Sequence, residues 1–458
     1  MEAPQAQIDA VPTGVAVQTM IDEGDAMGVS TFFDLLDASD TTLVLARLSP
    51  DRRATLLAML DAPRSARLIG LMPEPHRVEA LNALGPETSA ELLRAMPSDV
   101  RADLLGALDQ DAATAILDEL TRDEAEEART LVEYDNDCAG GLMVTEYLSY
   151  RAAMTVQDVV DDLEKNAKRY ARFDVQYMYV VDRTGVLIGV LRIRDLLLSD
   201  HTSTLISIMI VPPVSVRDDA GLSTLVSFFE RHAFFGVPVI DDRDRLVGVV
   251  KRSAIESAVA QRNEKAYRLT QGIIGGEELR SMPLTVRSKR RLTWLSINVA
   301  LNLVAATVIA AHQDTLEAVI ALAVFLPIIS DMSGCAGAQA VAVSTRELIL
   351  GVTKPTELAR SVLGEVRLGV INGAVVGLII GLAAGLWQGN AWLGVVVGAA
   401  VALNTLLSVC IGGATPLLLK RMKIDPALAS GPILTTVTDV SGFFIVLTLA
   451  STALDRIA

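Results

Sequence analysis

Two aspartates stand in long stretches of the sequence that carry no other charge. Asp331 is the one charged residue of residues 318–345, and Asp439 is the one charged residue of residues 426–454. An ionised carboxylate at the centre of a bilayer costs about 2.5–3.5 kcal/mol on insertion scales, so it usually faces a cavity, a partner or an ion. Carboxylate oxygens suit Mg²⁺ or Ca²⁺ better than soft metals. Both aspartates are therefore candidates for lining an ion path; the structural alternative is a hydrogen bond to a neighbouring helix.

The residues around each aspartate favour the ion-path interpretation. Asp439 follows Gly431 and Pro432, which weaken a helix and can leave backbone carbonyls free to face a polar path. At helical spacing Asp331 shares one face with three further residues, Cys335, Ala338 and Gln339. We therefore expect Asp439 and Asp331, together with Gln339, to contact a conducted ion.

The apolar stretches that hold these residues are long enough to cross a membrane. A transmembrane helix needs about 20 mostly apolar residues, and residues 368–419 contain no Asp, Glu, Lys or Arg. The pattern predicts five spans, at about residues 292–312, 317–345, 361–387, 391–419 and 426–454. Lys and Arg cluster before the first span, between the second and third, and between the fourth and fifth. By the positive-inside rule, we expect a multi-pass protein of the cell (inner) membrane with its N-terminus cytosolic and its C-terminus outside.

The negative charge of the 458-residue chain is concentrated ahead of the spans. Residues 287–458 hold 12 Lys and Arg against 9 Asp and Glu, so the first 286 residues carry a net charge of −18, against −15 for the whole chain. Such an acidic soluble part argues against nucleic-acid binding, which needs basic residues to displace counterions, and it is compatible with cation binding. The three cysteines, Cys138, Cys335 and Cys410, have no CxxC spacing and predict neither a disulfide framework nor a zinc site.

The soluble part contains two kinds of repeat. Between positions 40 and 130, turn-prone residues recur at a short and regular interval, separated by Leu/Ala-rich amphipathic segments. Short helices that bury their apolar faces only by stacking form an α-solenoid, although a plain helical bundle is an alternative. Residues 150–260 instead show two copies of a helix–strand–strand–helix unit, which predicts a paired α+β module. Strands are predicted at residues 175–182, 187–191, 236–241 and 246–250. Because no Walker loop, HExxH or GxSxG motif is present, we predict that the chain is not an enzyme.

These features together resemble the MgtE family of magnesium channels. The two α+β units are similar to CBS domains, through residues 177–182 with 189–197 and residues 237–241 with 246–250. The segment Ala139-Gly140-Gly141-Leu142-Met143 resembles the family's junction between solenoid and CBS domains. In the membrane part, Trp294-Leu295, Asn372-Gly373 and the run from Asp425 through Asp439 resemble the family as well. The resemblance covers about residues 35–458, in the family's domain order.

The resemblance implies a multidomain membrane protein with an N-terminal all-α solenoid, α+β paired CBS domains and a five-helix transmembrane domain. We expect a disordered tail at residues 1–30, the solenoid at 31–138, the CBS domains at 139–201 and 202–256, a linking (plug) helix at 257–290 and the ion-conducting domain at 291–458. The implied protein is a homodimeric Mg²⁺ channel whose cytosolic domains gate the pore, with Mg²⁺ as the conducted and regulatory ion.

The resemblance also assigns roles to individual residues. Asp439 matches the carboxylate of the central hydrated-ion site, and Thr435 matches a position whose backbone carbonyl contributes there. Asp425 matches a metal-binding aspartate at the cytosolic mouth, and Asn372 belongs to a matching segment of the third span. Asp195 keeps an acidic residue of the first CBS unit that would contact the ribose of a nucleotide such as ATP.

Two departures from the family leave alternatives open. Asp331 and Cys335 stand where the family has Gly and Asn in its second-span motif, which allows a Co²⁺ or Mn²⁺ transporter with weak Mg²⁺ gating. Residues 251–254 read Lys-Arg-Ser-Ala where the family commonly has Thr-x-Asp-Asp, which weakens an acidic sensor face. A membrane sensor that transports nothing is a further alternative. An intramembrane aspartyl protease is disfavoured, because the residues around Asp439 lack a GxGD motif.

Overall fold

The computed structural model describes residues 13–171, 173–174, 176–270, 272–273, 276, 278–350, 352–424 and 426–457. The chain divides into two compact units, one ending at Gln261 and the other beginning at Arg262. The division falls within a helix of 19 residues, Arg252–Thr270, which begins directly after the last strand of the first unit. The linking helix predicted at residues 257–290 therefore begins within a helix that is continuous with the second CBS unit, and that helix ends at Thr270, before the next one begins at Leu284.

Short helices make up the first half of the first unit. In chain order they are α1 (Thr13–Glu23), α2 (Ala26–Leu35), α3 (Ala38–Arg47), α4 (Pro50–Met59), α5 (Ala62–Leu71), α6 (Glu74–Leu84), α7 (Pro86–Arg94), α8 (Ser98–Ala107), α9 (Gln110–Glu119) and α10 (Arg122–Val132). From α2 onward the helices begin at a constant interval, and many begin after an Asp, Ser or Thr that caps the helix with its side chain. The predicted short and regular repeat is confirmed.

The same repeat places the apolar core of these helices. Leu45, Leu57, Ile69, Leu81 and Leu93 occupy equivalent positions of successive helices and are at most 1% exposed. Helices α5 and α7 share a polar contact: Ser65 Oγ donates to the Leu57 carbonyl at 2.8 Å, and Ser89 Oγ donates to the Leu81 carbonyl at 3.0 Å. Each helix thus covers its apolar face with its neighbours, as stacked repeats require.

The predicted disordered tail at residues 1–30 is wrong from residue 13 onward. Residues 13–30 belong to helices α1 and α2 and the turn between them, and residues 1–12 lie outside the described residues. Val17 and Ile21, one helical turn apart, are 0% and 4% exposed and join the core of the solenoid. The helix forms because the first repeat would otherwise leave its apolar face uncovered.

The CBS region contains two sheets that exchange strands. Its strands are β1 (Met143–Val144), β2 (Leu148–Arg151), β3 (Tyr177–Val181), β4 (Leu187–Arg192), β5 (Val216–Arg217), β6 (Gly236–Ile240) and β7 (Leu246–Lys251). Its helices are α11 (Ala139–Leu142), α12 (Val156–Lys165), α13 (Ala167–Tyr170), α14 (Ile193–Leu197), α15 (Leu205–Ile208), α16 (Leu222–Arg231) and α17 (Arg252–Thr270). The sheets run β2-β3-β4 and β1-β7-β6-β5. Strand β1 lies near the start of the first CBS unit in sequence yet pairs with β7 of the second, so the predicted pair is interlocked.

Two pairs of equivalent contacts give this region its internal symmetry. Met143 packs against Gly248, and Met209 packs against Gly189, so closely that a methyl group on either glycine would clash with the methionine sulfur. After β3, Asp182 accepts hydrogen bonds from the backbone of Thr184 and Val186; Asp241 accepts the same pair from Arg243 and Arg245 after β6. The two units therefore repeat one fold, as the sequence predicted.

The second unit consists of long apolar helices. They are α18 (Leu284–Ala311), α19 (Gln313–Ala318), α20 (Leu322–Leu350), a 3₁₀ turn at Pro355–Glu357, α21 (Leu358–Gln388), α22 (Ala391–Arg421), α23 (Pro426–Thr452) and α24 (Leu454–Ile457). Within the described residues, five helices are long and apolar enough to cross a membrane, which confirms the predicted number. The second span begins at Leu322 rather than residue 317, because α19 forms a separate short helix before it. Helix α22 packs against α20, α21 and α23.

Candidate functional site

The carboxylate of Asp439 lies between two membrane-region helices. Asp439 belongs to α23, is 9% exposed, and accepts a hydrogen bond at Oδ1 from the Ser330 hydroxyl of α20. Among the described residues, Ser330 is the one that donates a hydrogen bond to this carboxylate. Because a buried anion is costly unless donors or cations satisfy it, the site is arranged for a charged oxygen and not for an apolar contact.

A second polar cluster joins α22 to residues on either side of Asp439. Asn404 of α22 is fully buried, and its Nδ2 donates to the carbonyl of Thr438 at 3.0 Å. The Ser441 hydroxyl donates to Asn404 Oδ1 at 2.7 Å. Gly442 leaves room for this amide, since a methyl group there would lie 2.6 Å from Asn404 Nδ2. Helix α22 thus holds the turn of α23 that carries the aspartate.

Helices α20 and α22 approach each other closely and share polar contacts as well as an apolar core. Ser408 Oγ donates to the Ser333 carbonyl at 2.5 Å, and Ser344 Oγ donates to the Gly413 carbonyl at 3.0 Å. A methyl group on Gly412 would clash with the carbonyl oxygen of Gly337. Small residues let the backbones approach and the hydroxyls bridge them, as in membrane helix pairs.

The α20 residues predicted to share a face with Asp331 are exposed in the single chain. Asp331, Cys335, Ala338 and Gln339 are all exposed, whereas Ser333 and Gly337 between them are buried. The helix therefore turns one small-residue face to α22 and a polar face away from the chain's own core. A carboxylate on such a face inside a membrane requires water, protein or an ion beside it.

The other predicted ion-path residues lie in different surroundings. Thr435 is exposed on α23, and its hydroxyl donates to the Gly431 carbonyl at 3.1 Å. Asn372 is half-buried on α21, and no hydrogen bond within the described residues joins it to Asp439. Asp425 lies outside the described residues. The hydrogen bonds around Asp439 instead come from Ser330 and Asn404, which the sequence analysis missed. The signal available in the sequence was that each is a polar residue within a predicted span.

The CBS region contains a cleft of about 240 Å³ between its two units. Its walls include the aromatic residues Tyr147, Tyr177, Tyr179 and Phe235 and the charged residues Glu146, Asp174, Lys251, Arg252 and Glu256. The Lys251 ammonium lies 3.5 Å from an Asp174 carboxylate oxygen. Arg252 donates to the carbonyls of Phe229, His232 and Phe234, at the end of α16. Asp195, the predicted nucleotide contact, does not line this cleft and pairs with Arg194 at 3.3 Å.

The solenoid is joined to the CBS region by a polar junction that the sequence analysis did not identify. The Glu146 carboxylate accepts hydrogen bonds from the Ser98 amide and hydroxyl, at 3.0 and 2.8 Å. Glu127 accepts hydrogen bonds from Arg101 at 2.7 Å and from the Thr145 hydroxyl. All of these residues lie within the first unit, and together they hold helices α8 and α10 against the start of the CBS region.

The carboxyl group of Asp99 lies near this junction and has a perturbed pKa. Burial raises the pKa of Asp99, the charge of Glu146 raises it further, and a backbone hydrogen bond and the charge of Lys251 oppose that increase. Lys251 therefore acts electrostatically on acidic groups of both the solenoid and the CBS pair. Among the described residues, no group of three or more His, Cys, Asp or Glu side chains is arranged to hold a metal ion within the single chain.

Comparison with known proteins identifies the family. A profile described as a divalent cation transporter matches residues 326–449, one described as the MgtE intracellular N domain matches residues 36–137, and the CBS domain profile matches residues 139–201 and 205–261. A protein of Enterococcus faecalis (strain ATCC 700802 / V583) named magnesium transporter MgtE is 31% identical over 328 residues, which is 72% of each chain. The chain belongs to the MgtE family.

Two further MgtE proteins show the extent of the likeness. A magnesium transporter MgtE of Bacillus subtilis (strain 168) is 30% identical over 329 residues, again 72% of each chain. A crystal structure described as the cytosolic domain of the Mg²⁺ channel MgtE in complex with ATP is 29% identical, covers 54% of this chain and 99% of that chain, and has a TM-score of 0.49. The predicted family, with its helical domain, CBS pair and membrane helices, is confirmed for this MgtE protein.

Proposed function

We propose that this MgtE protein conducts Mg²⁺ across the cell membrane, and that Asp439 lies on the ion path. The observation that carries the proposal is a buried carboxylate in a membrane-spanning helix, oriented by Ser330 from a second helix. The names of the relatives support Mg²⁺ as the cargo. Mg²⁺ loses its water reluctantly and is often bound by one or two carboxylates with several waters retained, so a single aspartate per chain suits a hydrated ion.

We propose further that two copies of the chain form the path. Asp331, Cys335 and Gln339 are exposed on one face of α20 although they lie within a candidate span. Lipid cannot satisfy a carboxylate, whereas a second copy packed on this face would enclose it with water and ions. The distribution of Lys and Arg supports an arrangement with the N-terminus and both regulatory regions in the cytosol and the C-terminus outside.

The cytosolic regions act as regulators in this proposal. The solenoid and CBS pair carry most of the chain's negative charge, so cytosolic Mg²⁺ would reduce their mutual repulsion and favour the closed pore. The cleft between the CBS units is the proposed nucleotide site, with aromatic walls for a base and Lys251 for a phosphate. Asp195 lies outside this cleft, so it would contact a nucleotide only if the nucleotide bound elsewhere.

Asp331 and Cys335 favour a second candidate function, the transport of a softer divalent ion. An added carboxylate raises cation affinity, and a thiol is a better ligand for Co²⁺ than for Mg²⁺. Both side chains are exposed on the same face of α20. Comparing Mg²⁺ with Co²⁺ flux separates the two candidates.

The proposed function is tested by Mg²⁺ entry into proteoliposomes that contain the full chain. We expect Asp439→Asn to reduce flux at least tenfold, and Mg²⁺ on the side of the cytosolic domains to suppress wild-type flux. Asp314→Asn is the matched control, because Asp314 is an exposed aspartate in the short helix α19. Flux that is independent of Asp439 would favour a membrane sensor, and Co²⁺ flux without Mg²⁺ flux would favour the second candidate.

A further inference from the structure

A hydrogen bond from Ser330 of α20 reaches the carboxylate of Asp439 on α23. Ser330 is half-buried and lies on α20, immediately before the exposed Asp331. Its hydroxyl donates to Oδ1 of Asp439, and Oδ2 accepts no hydrogen bond from the described residues. The two oxygens of one carboxylate thus have different surroundings, one engaged by a neutral donor and one left for another partner.

The backbone beneath this carboxylate is held from the opposite direction. Asn404 of α22 donates to the carbonyl of Thr438, and Ser441 donates to Asn404. Because Asn404 is fully buried and both of its partners flank Asp439, this turn of α23 cannot rotate without breaking buried hydrogen bonds. With the backbone fixed, the freedom that remains is the side-chain rotamer of Asp439, and Ser330 is the described group that restricts it.

We propose that Ser330 is a positioning residue of the ion path: its hydroxyl holds one oxygen of Asp439 against α20, so that the other oxygen faces the hydrated cation. Ser330 need not touch the ion. This inference rests on the proposed function, since it assumes that Asp439 meets the conducted ion. Its physical basis is that a carboxylate held in the bound orientation loses less rotamer freedom when the cation arrives.

If Ser330 positions Asp439, its removal should lower the apparent affinity of the pore for Mg²⁺ without abolishing flux. In Ser330→Ala, we expect the Mg²⁺ concentration that gives half-maximal flux to rise roughly tenfold, the size expected for one hydrogen bond to a charged group. Maximal flux should change less than about threefold, because the substitution weakens ion binding but leaves the pore in place. Ser330→Thr retains a hydroxyl and should restore the half-saturating concentration to within about threefold of wild type.

The matched control is Ser344→Ala. Ser344 lies on the same helix, is 3% exposed and donates to a backbone carbonyl of α22, so it reports the general cost of removing a buried hydroxyl. It should leave the half-saturating Mg²⁺ concentration unchanged. Melting of each purified full-length variant in detergent identifies misfolding, and the Thr variant supplies the comparison if the Ala variant is unstable.

The outcomes separate this inference from the proposed function. An unchanged half-saturating concentration in Ser330→Ala, or equal defects in the Ala and Thr variants at matched melting temperature, would overturn the positioning role of Ser330. Wild-type flux in Asp439→Asn would instead overturn the proposed ion path itself. A higher half-saturating concentration in Ser330→Ala, rescued by Thr and absent from Ser344→Ala, supports the inference.

Discussion

Gly377 of α21 and Gly398 of α22 are packed backbone against backbone. A methyl group on Gly377 would lie 2.5 Å from the carbonyl oxygen of Gly398, and a methyl group on Gly398 would lie 2.7 Å from the carbonyl oxygen of Gly377. Glycines recur at every fourth position of α21 from Gly369 to Gly385, and these repeated contacts make α21 and α22 one tightly packed pair.

We expect Gly377→Ala to destabilise the membrane region by about 1–3 kcal/mol, because the new methyl group can be accommodated only if the helices separate. Gly364→Ala on the same helix is the control, since nothing lies within 4 Å of a methyl group there, and it should change stability by no more than about 0.5 kcal/mol. Denaturation of the purified full chain in detergent measures both. Equal effects would show that the close approach of the two helices does not contribute to stability.

The buried ion pair between Arg101 and Glu127 should contribute more to the stability of the solenoid than its exposed ion pairs do. The Arg101 side chain is 6% exposed, so Glu127→Gln leaves a cation with little water around it. We expect a loss of about 3 kcal/mol, at the low end for buried pairs because Glu127 is partly exposed. Asp34→Asn removes the exposed pair with Arg67 and should cost less than about 1 kcal/mol. Chemical denaturation followed by the solenoid's helical signal would distinguish them.

His76 should make the solenoid sensitive to acid. Burial, followed by the charge of Arg53, lowers the pKa of His76 from 6.5 to about 4. The folded state resists protonation of this imidazole. The contribution of neutral His76 to the free energy of unfolding is therefore complete above pH 6.5 and is lost as pH falls toward 4. His76→Gln should flatten stability over this window, whereas the exposed His201→Gln should not. An unaltered pH profile in His76→Gln would assign the acid sensitivity to other groups.

Lys251 should weaken the response to cytosolic Mg²⁺. Its ammonium pairs with the carboxylate of Asp174 and acts on the carboxyl of Asp99 at longer range. It therefore neutralises negative charge that would otherwise attract a divalent cation. In Lys251→Thr we expect the cytosolic Mg²⁺ concentration that halves flux to fall about fivefold or more. Lys168→Thr removes an exposed lysine with no effect expected. If both variants respond as wild type does, Lys251 has no part in the gate.

Asp331 should alter ion selectivity. Asp331→Gly removes an exposed carboxylate from the α20 face and introduces the glycine that the family resemblance implies at this position. We expect the ratio of Co²⁺ to Mg²⁺ flux to fall severalfold, because a second carboxylate favours the ion that sheds its water more easily. Asp331→Asn, which keeps the size but not the charge, should behave like the Gly variant. A ratio that is unchanged in both variants would remove Asp331 from the ion path.

The sequence alone determined the order and type of the domains. The regular recurrence of turn-prone residues predicted the stacked helices, because each repeat must bury Leu or Ile at the same position. Charge-free runs predicted five spans, because a bilayer excludes charge over the length of a helix. The single carboxylate of Asp439 stood out for the same reason, and the order of segments was sufficient to indicate the family.

Tertiary structure decided which distant residues meet. The pairing of β1 with β7, the Ser330 and Asn404 contacts around Asp439, and the Ser98–Glu146 junction all join residues far apart in sequence. A local sequence pattern predicts on which face of a helix a residue lies, but not which distant segment packs against that face. The same limit explains the error at residues 13–30, where a weakly patterned segment becomes helical because the first solenoid repeat supplies the apolar surface it needs.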